Sequence, residues 1–408
     1  MHDDDRRIAL SVQTMVQECP LRIPCVEGAD AVRLSRFAFI RGTAEGTLVE
    51  SPLSTRRIYL VTAQARFLAA ACGAATTVAA LSGELGRPVG ETARLVGWLL
   101  GAGLADRAVD GEFADDADEL RQWEFHDLLF HSRSRSGRHD YPFGGLFPYR
   151  GELSPAPAIR PSHRGSETVL PRPDLARVLA EDSPFTTVLE GRTSTRHYGG
   201  PPPTVDRIAE FLYRVARVRT MSDPDAIPYP TSSRPYPTGG AGYDLEIYLT
   251  VHRCEGLAQG SYHYDPVEHR LVELATDPAD HAKLLAWSVR SARLRAQPDI
   301  LITLTSRFQR LSWKYRSIAY AATLKNVGVL YQTMYLVATA MGLGACALGA
   351  GDADLATRAF RLNHLEESSV GEFLVGSLPE EGRVARNLPV AVNDPGWHDH
   401  AVERLRKR

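Results

Sequence analysis

The chain has 408 residues, and its 47 basic and 49 acidic side chains give a net charge of −2. It is long enough for two or three domains with buried cores. Its balanced charge argues against a protein that mainly coats nucleic acid. Five scattered cysteines without zinc-ligand spacing argue against a disulfide scaffold or structural metal, so we expect a reducing, cytoplasmic location.

The amino-terminal part predicts a tail followed by a small domain. Residues 1–30 show no strong period, and we assign them to a loose tail or a first strand; their start does not resemble a secretory signal. Residues 31–112 read as a strand-like run, a helix opening near Thr76, a turn, a helix over 91–100 and a polar strand-like end. This order is typical of a winged-helix-like domain.

Two partners suit such a domain, a peptide and DNA, and a purely structural helical subdomain is the alternative. The second helix offers Arg94 and little else that is basic. Because phosphate neutralisation supplies most of the affinity for DNA, this is a weak basis for a nucleic-acid partner. A peptide added along an edge strand is the better prediction.

Residues 113–183 are assigned to a connector. An aromatic cluster at 123–131 precedes an arginine and serine alternation at 132–139, which in a longer run could indicate an RNA-binding tail. One short run beside aromatic residues favours a short helix followed by an exposed loop. Residues 151–175 are rich in proline and serine and predict an extended linker.

Residues 184–408 predict one catalytic domain of the α+β class. Thr204 precedes a helix with an apolar face, the runs 245–251, 299–305 and 372–375 read as strands, and a hairpin flanks Asp265. Strands and helices mix without a regular βαβ repeat. The uncharged stretch 327–351 reaches membrane-spanning length, but its polar residues and glycines favour a buried helix that ends near Gly342, so no membrane partner is expected.

Three motifs in this region carry chemistry. Arg192, Ser194 and Arg196 suit a terminal phosphate, which guanidinium and hydroxyl groups bind through charge-assisted hydrogen bonds. The run 237–243 has three glycines, whose lack of Cβ lets main-chain groups approach a flat ligand. Lys314 and Tyr315 offer an amine and a phenol side by side, which suits proton transfer. Each motif alone also fits an ordinary surface or loop, and no Rossmann or P-loop glycine motif is present.

Taken in order, these motifs resemble the SagB-type dehydrogenases, the flavin-dependent azoline oxidase branch of the nitroreductase-like family. The resemblance covers roughly residues 120–390 and is carried by the segments 192–196, 233–241, 260–266, 314–315, 342–346 and 369–373. It implies a nitroreductase-like fold, with a central, mostly antiparallel sheet flanked by helices. It also implies FMN bound between the subunits of a homodimer.

The resemblance further implies site residues. Near the phosphate would lie Arg192, Thr193, Ser194 and Arg196, with Arg383 or Arg386 as a further phosphate contact. Along the isoalloxazine would lie Pro237, Thr238, Gly239 and Gly240. Close to the flavin would also lie Leu348 and Gly349. Thr193 and Thr238 stand where other members often carry Arg and Ser. Lys314 and Tyr315 would form the catalytic pair, with Lys314 as the base or with the two roles exchanged.

The predicted function is the oxidation of a thiazoline or oxazoline ring to thiazole or oxazole in a ribosomally made peptide. The partners would be the azoline-containing precursor peptide, a second copy of the chain and a cyclodehydratase. The alternatives are an NAD(P)H-dependent nitro- or quinone reductase, another FMN oxidase, and a non-catalytic scaffold that binds leader peptide or DNA.

Overall fold

The computed structural model describes residues 9–16, 20–223, 229–379 and 396–407. The chain divides into two compact units, Met1–Gly144 and Gly145–Arg408. The division falls inside the segment that we assigned to a connector, rather than at its predicted ends, 112/113 and 183/184. Its first part packs on the first unit, where Arg138 donates to the Leu53 carbonyl, and its second part packs on the second unit, where Trp313 donates to the Leu153 carbonyl.

The first unit contains two sheets and five α-helices within its described residues. Its strands are β1 (Leu10–Thr14), β2 (Ala31–Leu34), β3 (Phe39–Thr43), β4 (Gly46–Glu50), β5 (Arg56–Leu60), β6 (Thr76–Thr77) and β7 (Ala105–Arg107). Its helices are α1 (Ala63–Ala71), α2 (Val78–Leu85), α3 (Val89–Gly101), α4 (Asp118–Arg121) and α5 (Phe125–Arg133). The strand orders are β1-β5-β4-β3 and β6-β2-β7.

Several local predictions for this unit are confirmed. Thr77 caps α2 by accepting a hydrogen bond from the backbone of Ala80, and α3 covers the predicted helix over 91–100. The strand-like end is β7, which pairs with β2. The region assigned to a tail contains β1, whose Leu10 pairs with Leu60 of β5 and is buried. The winged-helix description of this unit stays a prediction.

The second unit is built on one large sheet. Its strands are β8 (Glu167–Val169), β9 (Thr220–Met221), β10 (Ser232–Ser233), β11 (Leu245–Val251), β12 (Gly260–Asp265), β13 (Arg270–Leu274), β14 (Ile300–Arg307), β15 (Leu343–Leu348) and β16 (Glu367–Ser377). Seven of them form the order β15-β16-β14-β11-β12-β13-β8 with antiparallel neighbours throughout. The predicted strands and the β12–β13 hairpin are confirmed.

Helices pack on both faces of this sheet. The helices of the second unit, within its described residues, are α6 (Leu175–Glu181), α7 (Phe185–Gly191), α8 (Val205–Ala216), α9 (Pro278–Ala292), α10 (Gln309–Ser312), α11 (Ala319–Ala340), α12 (Ala353–Phe360) and α13 (Trp397–Arg406). Side chains alternate along β11, so that Leu245, Ile247, Leu249 and Val251 pack with residues of α8 and α11 in one core cluster, whereas Tyr248 packs with α9 and α12 in another. The α+β prediction is therefore confirmed.

The uncharged stretch 327–351 divides into two elements. Helix α11 ends at Ala340, Gly342 takes the left-handed conformation with φ +68°, and β15 follows. The predicted helix end at Gly342 is confirmed. Among the described residues, no helix combines the length and apolar character needed to cross a membrane.

A buried polar network lies on the sheet face that carries Tyr248. The Tyr248 hydroxyl donates to Glu367 at 2.8 Å and shares a hydrogen bond of 2.9 Å with Nε2 of His163. Burial would raise the pKa of Glu246, but the charges of Arg307 and His263 outweigh it and lower that pKa to about 2. Burial and the charge of Arg160 lower the pKa of His163 to about 3.

The low pKa of His163 predicts an acid sensitivity. The unfolded chain binds a proton at this imidazole as the pH falls below about 6.5, whereas the folded protein resists it down to about 3. Stability should therefore decline across this range, and His163→Gln should decline less. Urea unfolding of the second unit at pH 7 and pH 5 checks this, with His126→Gln as the control because that side chain is 79% exposed. Equal losses in the parent and His163→Gln would contradict the prediction.

Candidate active site

A buried carboxylate fixes the glycine-rich loop at 237–242. Asp244 is fully buried and accepts hydrogen bonds from Ser306 of β14 at 2.7 Å and from Thr323 of α11 at 2.8 Å. Its other oxygen accepts from the side-chain amide of Asn326 at 2.7 Å, and the oxygen of that amide accepts from the Gly239 backbone at 3.0 Å. Sheet, helix and loop are thus joined through one side chain.

Gly240 sits at the point where this loop meets the predicted catalytic pair. Its φ is +58°, which disfavours other residues. A Cβ here would lie 2.1 Å from the Tyr315 hydroxyl and 2.6 Å from Nζ of Lys314. The structure therefore brings Gly239, Gly240, Lys314 and Tyr315 together, as the sequence predicts, and only glycine leaves room for both polar groups.

The Lys314 amine is held by one carbonyl and surrounded by aromatic rings. Nζ donates to the Gly240 carbonyl at 3.0 Å and to the Tyr229 hydroxyl at 3.3 Å. It lies 5.1 Å from the ring centroid of Tyr229, 5.4 Å from that of Tyr315 and 6.0 Å from that of Phe147. Aromatic faces attract a cationic amine, so these rings and the carbonyl define where the amine sits.

Tyr229 and Phe147 are site residues that our reading of the sequence missed. The Tyr229 hydroxyl donates to the Gly240 carbonyl at 2.8 Å, and burial raises its pKa, although the charge of Arg310 opposes this. Tyr229 lies in a proline-rich loop, where no period marks it. The sequence does draw attention to the Lys314 amine, because lysine is scarce in this chain. Its four lysines are Lys283, Lys314, Lys325 and Lys407.

The predicted phosphate segment lies against β15 and the end of α11. The Thr195 backbone donates to the Ala345 carbonyl at 2.7 Å, and Ser194 shares a hydrogen bond of 2.9 Å with the Tyr335 hydroxyl. The guanidinium of Arg192 lies 5.0 Å from the Tyr335 ring centroid. Thr193 is half-buried and Arg196 is exposed, and Arg192 and Ser194 both contact Tyr335.

Other predicted residues lie nearby or outside the described chain. Leu348, at the end of β15, is buried, and the exposed Gly349 has open space where a Cβ would be. Pro237 is exposed, and Thr238 accepts a hydrogen bond from the Tyr243 backbone at 3.2 Å. Arg383 and Arg386 lie outside the described residues.

Helix α11 separates the two clusters within one chain. Asn326 serves the glycine loop, and Tyr335 serves the phosphate segment nine residues later. Nine residues make two and a half turns and a rise of roughly 13 Å. The two side chains therefore leave opposite sides of the helix, so the glycine loop and the phosphate segment contact different sides of α11.

Family models match both parts of the chain. Residues 189–377 match the model of the nitroreductase family, and residues 32–140 match the model of the cyanobactin oxidase ThcOx. Residues 189–377 are therefore similar to the nitroreductase family. The resemblance inferred from its motifs and the nitroreductase-like fold are thus confirmed, and the protein is an oxidoreductase.

Individual relatives agree with this assignment. A putative nitroreductase of Methanocaldococcus jannaschii is 29% identical over 181 residues, which cover 44% of this chain and 82% of the relative. The microcin B17-processing protein McbC of Escherichia coli is 33% identical over 131 residues. That match covers 31% of this chain and only 46% of McbC, so it spans less than half of the relative.

Solved structures also match the chain. One chain of the E. coli microcin synthetase McbBCD, solved with truncated pro-MccB17 bound, matches with a TM-score of 0.37 and 18% identity. The match covers 64% of this chain and 92% of the McbBCD chain. A putative nitroreductase from Desulfovibrio desulfuricans, solved in complex with FMN, matches with a TM-score of 0.32 and 15% identity over 52% of this chain and 98% of its own.

The crowding at Gly240 gives a testable prediction. Gly240→Ala should displace the Lys314 amine, because the new methyl group would occupy its position. Acylation of Lys314 by a water-soluble reagent, followed by mass spectrometry, should then be faster than in the parent. Gly342→Ala is the control: its φ of +68° is similar, but the nearest atom is 3.9 Å away. Both variants should lose about 1–2 kcal/mol to backbone strain. Equal acylation of Lys314 in both would contradict the prediction.

Proposed function

We propose that this oxidoreductase uses FMN to oxidise thiazoline or oxazoline rings to thiazole or oxazole in a ribosomally made peptide. The observation that carries the proposal is the convergence of the Lys314 amine and the Tyr315 hydroxyl on Gly240, in a nitroreductase-like domain. The match of residues 32–140 to a cyanobactin oxidase supports a peptide substrate over a free nitro compound or quinone.

The residues present fit FMN. Arg192, Ser194 and Arg196 would bind its phosphate, with Thr193 in the same segment and Arg383 as a further basic candidate. The loop from Pro237 through Thr238 to Gly240 would lie along the isoalloxazine, and Leu348 and Gly349 would approach it from the end of β15. The absence of a Cβ at Gly240 keeps this surface open beside the catalytic pair. FMN, when bound, would supply the two-electron acceptor for the hydride, with dioxygen as the final oxidant.

Side chains of the protein itself would accept the proton that leaves the ring. Oxidation of the ring removes one hydrogen as a hydride and one as a proton from the neighbouring position. Lys314 is proposed as the base that takes this proton and Tyr315 as its hydrogen-bonding partner, or the reverse. Tyr229 would position the amine through its hydroxyl. Because the product ring is aromatic, the protein mainly has to orient the ring and receive the proton.

We propose that the active unit is a homodimer. One protomer separates the phosphate segment from the glycine loop across α11, so a second copy could bring the two half-sites together. Exposed apolar residues also lie along α11, with Tyr320 47%, Leu324 40% and Val329 36% exposed. Apolar area of this kind is typical of subunit interfaces.

The first unit is proposed to bind the leader part of the precursor peptide. Strand β3 pairs with β4 along one edge only and so offers an open edge within the described residues, to which an extended peptide could add. A cyclodehydratase, which forms the azoline ring, is the proposed protein partner, and the cytoplasm is the proposed location.

The central prediction concerns Lys314. The purified parent should be yellow and should remove two hydrogens per azoline ring, as seen by peptide mass spectrometry. Lys314→Ala should lower kcat by about 10²- to 10⁴-fold, since general-base catalysis typically contributes that much. Lys283→Ala is the control, because this lysine is 62% exposed and lies on α9, which packs on the other face of the sheet from α11.

Two results would contradict the proposal. One is parental turnover by Lys314→Ala, which would remove the assigned base. The other is rapid reduction of the protein by NAD(P)H and a nitro or quinone acceptor without any change in an azoline peptide. That second outcome would favour an ordinary nitro- or quinone reductase.

The homodimer gives a separate prediction. Val329→Glu would place a charge among the exposed apolar residues of α11 and should yield monomers that have lost FMN, because each half-site would then lack its complement. Light scattering after gel filtration and the flavin absorbance measure both properties. Leu365→Glu, at a site that is 83% exposed, should leave both unchanged. A monomeric parent that retains FMN would overturn the half-site interpretation.

A further inference from the structure

The first segment of the second unit is hydrogen-bonded to α10 and to the residues on either side of it. We name this segment, residues 145–158, the strap. Its backbone oxygens accept hydrogen bonds from side chains of residues 307–313: Trp313 to Leu153 at 2.9 Å, Gln309 to Ser154 at 3.1 Å, Arg310 to Ala156 at 2.8 Å, and Arg307 to Pro157 at 2.9 Å and to Ala158 at 3.1 Å. The strap thus runs antiparallel to the residues that lead into Lys314.

The amino-terminal end of the strap contacts Lys314 itself. The backbone amides of Leu146 and Phe147 donate to the Lys314 carbonyl at 2.9 and 3.2 Å. A Cβ on Gly145 would lie 3.2 Å from Cε of Lys314, so the strap also passes close to the side chain. The strap therefore contacts both the backbone and the side chain of Lys314.

Phe147 completes the surroundings of the amine. Its ring lies 5.6 Å from the Trp313 ring, 6.0 Å from the Tyr229 ring and 6.0 Å from Nζ of Lys314. Its φ of +50° is uncommon for a residue with a large side chain. Such a conformation persists where the surrounding contacts enforce it, and it tends to occur at functional sites.

We propose that the strap positions Lys314 for proton transfer and that Phe147 is its principal positioning residue. This inference rests on the proposed function, in which Lys314 takes part in catalysis. The Phe147 ring is a third aromatic neighbour of the amine, beside Tyr229 and Tyr315, and the two backbone hydrogen bonds fix the lysine main chain. The connector is thus part of the catalytic unit as well as a link between the two units.

The first test is kinetic. Phe147→Ala should lower kcat on an azoline peptide on the order of 10- to 100-fold, because small displacements of a catalytic group have effects of this size. The KM for the peptide and the FMN content should stay unchanged, and Phe147→Tyr should restore turnover. Leu153→Ala is the matched control, because this residue of the strap acts through its carbonyl and is 52% exposed. Parental kcat in Phe147→Ala would overturn the proposal.

The second test does not depend on activity. With four lysines in the chain, reductive ¹³C-methylation gives few lysine signals in an NMR spectrum. The Lys314 methyl signal should be shifted by the aromatic rings in the parent and in Leu153→Ala, and should move towards the Lys407 signal in Phe147→Ala. Unmoved signals would overturn the proposal. If the parent fails to oxidise azolines while the signal still moves, the proposed function fails and the positioning role stands.

Discussion

The candidate site depends on the buried carboxylate of Asp244. It binds the sheet through Ser306 and the long helix through Thr323 and Asn326, and Asn326 holds the loop that carries Gly240. A buried charge is stable only when its hydrogen-bonding capacity is used, and here three donors satisfy it. The position of the loop relative to α11 is therefore fixed by the core and is not left to the flexibility of glycine. Lys314 and Tyr315 shortly precede α11, and Asn326 of α11 holds the loop. The same helix therefore positions both the two side chains and the loop that they contact.

The contacts of α11 also underlie the proposed homodimer. The glycine loop is held on one side of α11 and the phosphate segment on the other, and neither can move without breaking hydrogen bonds to Asn326 or Tyr335 of this helix. In the proposed homodimer, FMN would contact the glycine loop of one chain and the phosphate segment of the other. The exposed apolar residues of α11 are consistent with that arrangement. Peptide recognition by the first unit and ring oxidation by the second would then be divided between separately folded parts.

The sequence predicted the elements and the motifs better than their spatial relations. The α8 cap at Thr204, the β12–β13 hairpin and the end of α11 at Gly342 follow from local rules of capping, turns and period, and the structure confirms them. These local rules do not predict which segments, distant in sequence, come into contact in the folded protein. Tyr229 and Phe147 reach Lys314 through tertiary packing, and nothing in their surrounding sequence marks them. The division of the chain after Gly144 has no local signal either: residues 151–175 predicted an extended linker, and five hydrogen bonds hold residues 153–158 to residues 307–313.

The most direct measurement is anaerobic mixing of the purified protein with an azoline-containing peptide, followed by absorbance and mass spectrometry. The account predicts that the flavin absorbance is bleached without NAD(P)H, that one azole ring forms per flavin, and that admitting air restores the colour. A flavin that stays oxidised in the presence of the peptide, or a preparation that contains no flavin, would contradict it.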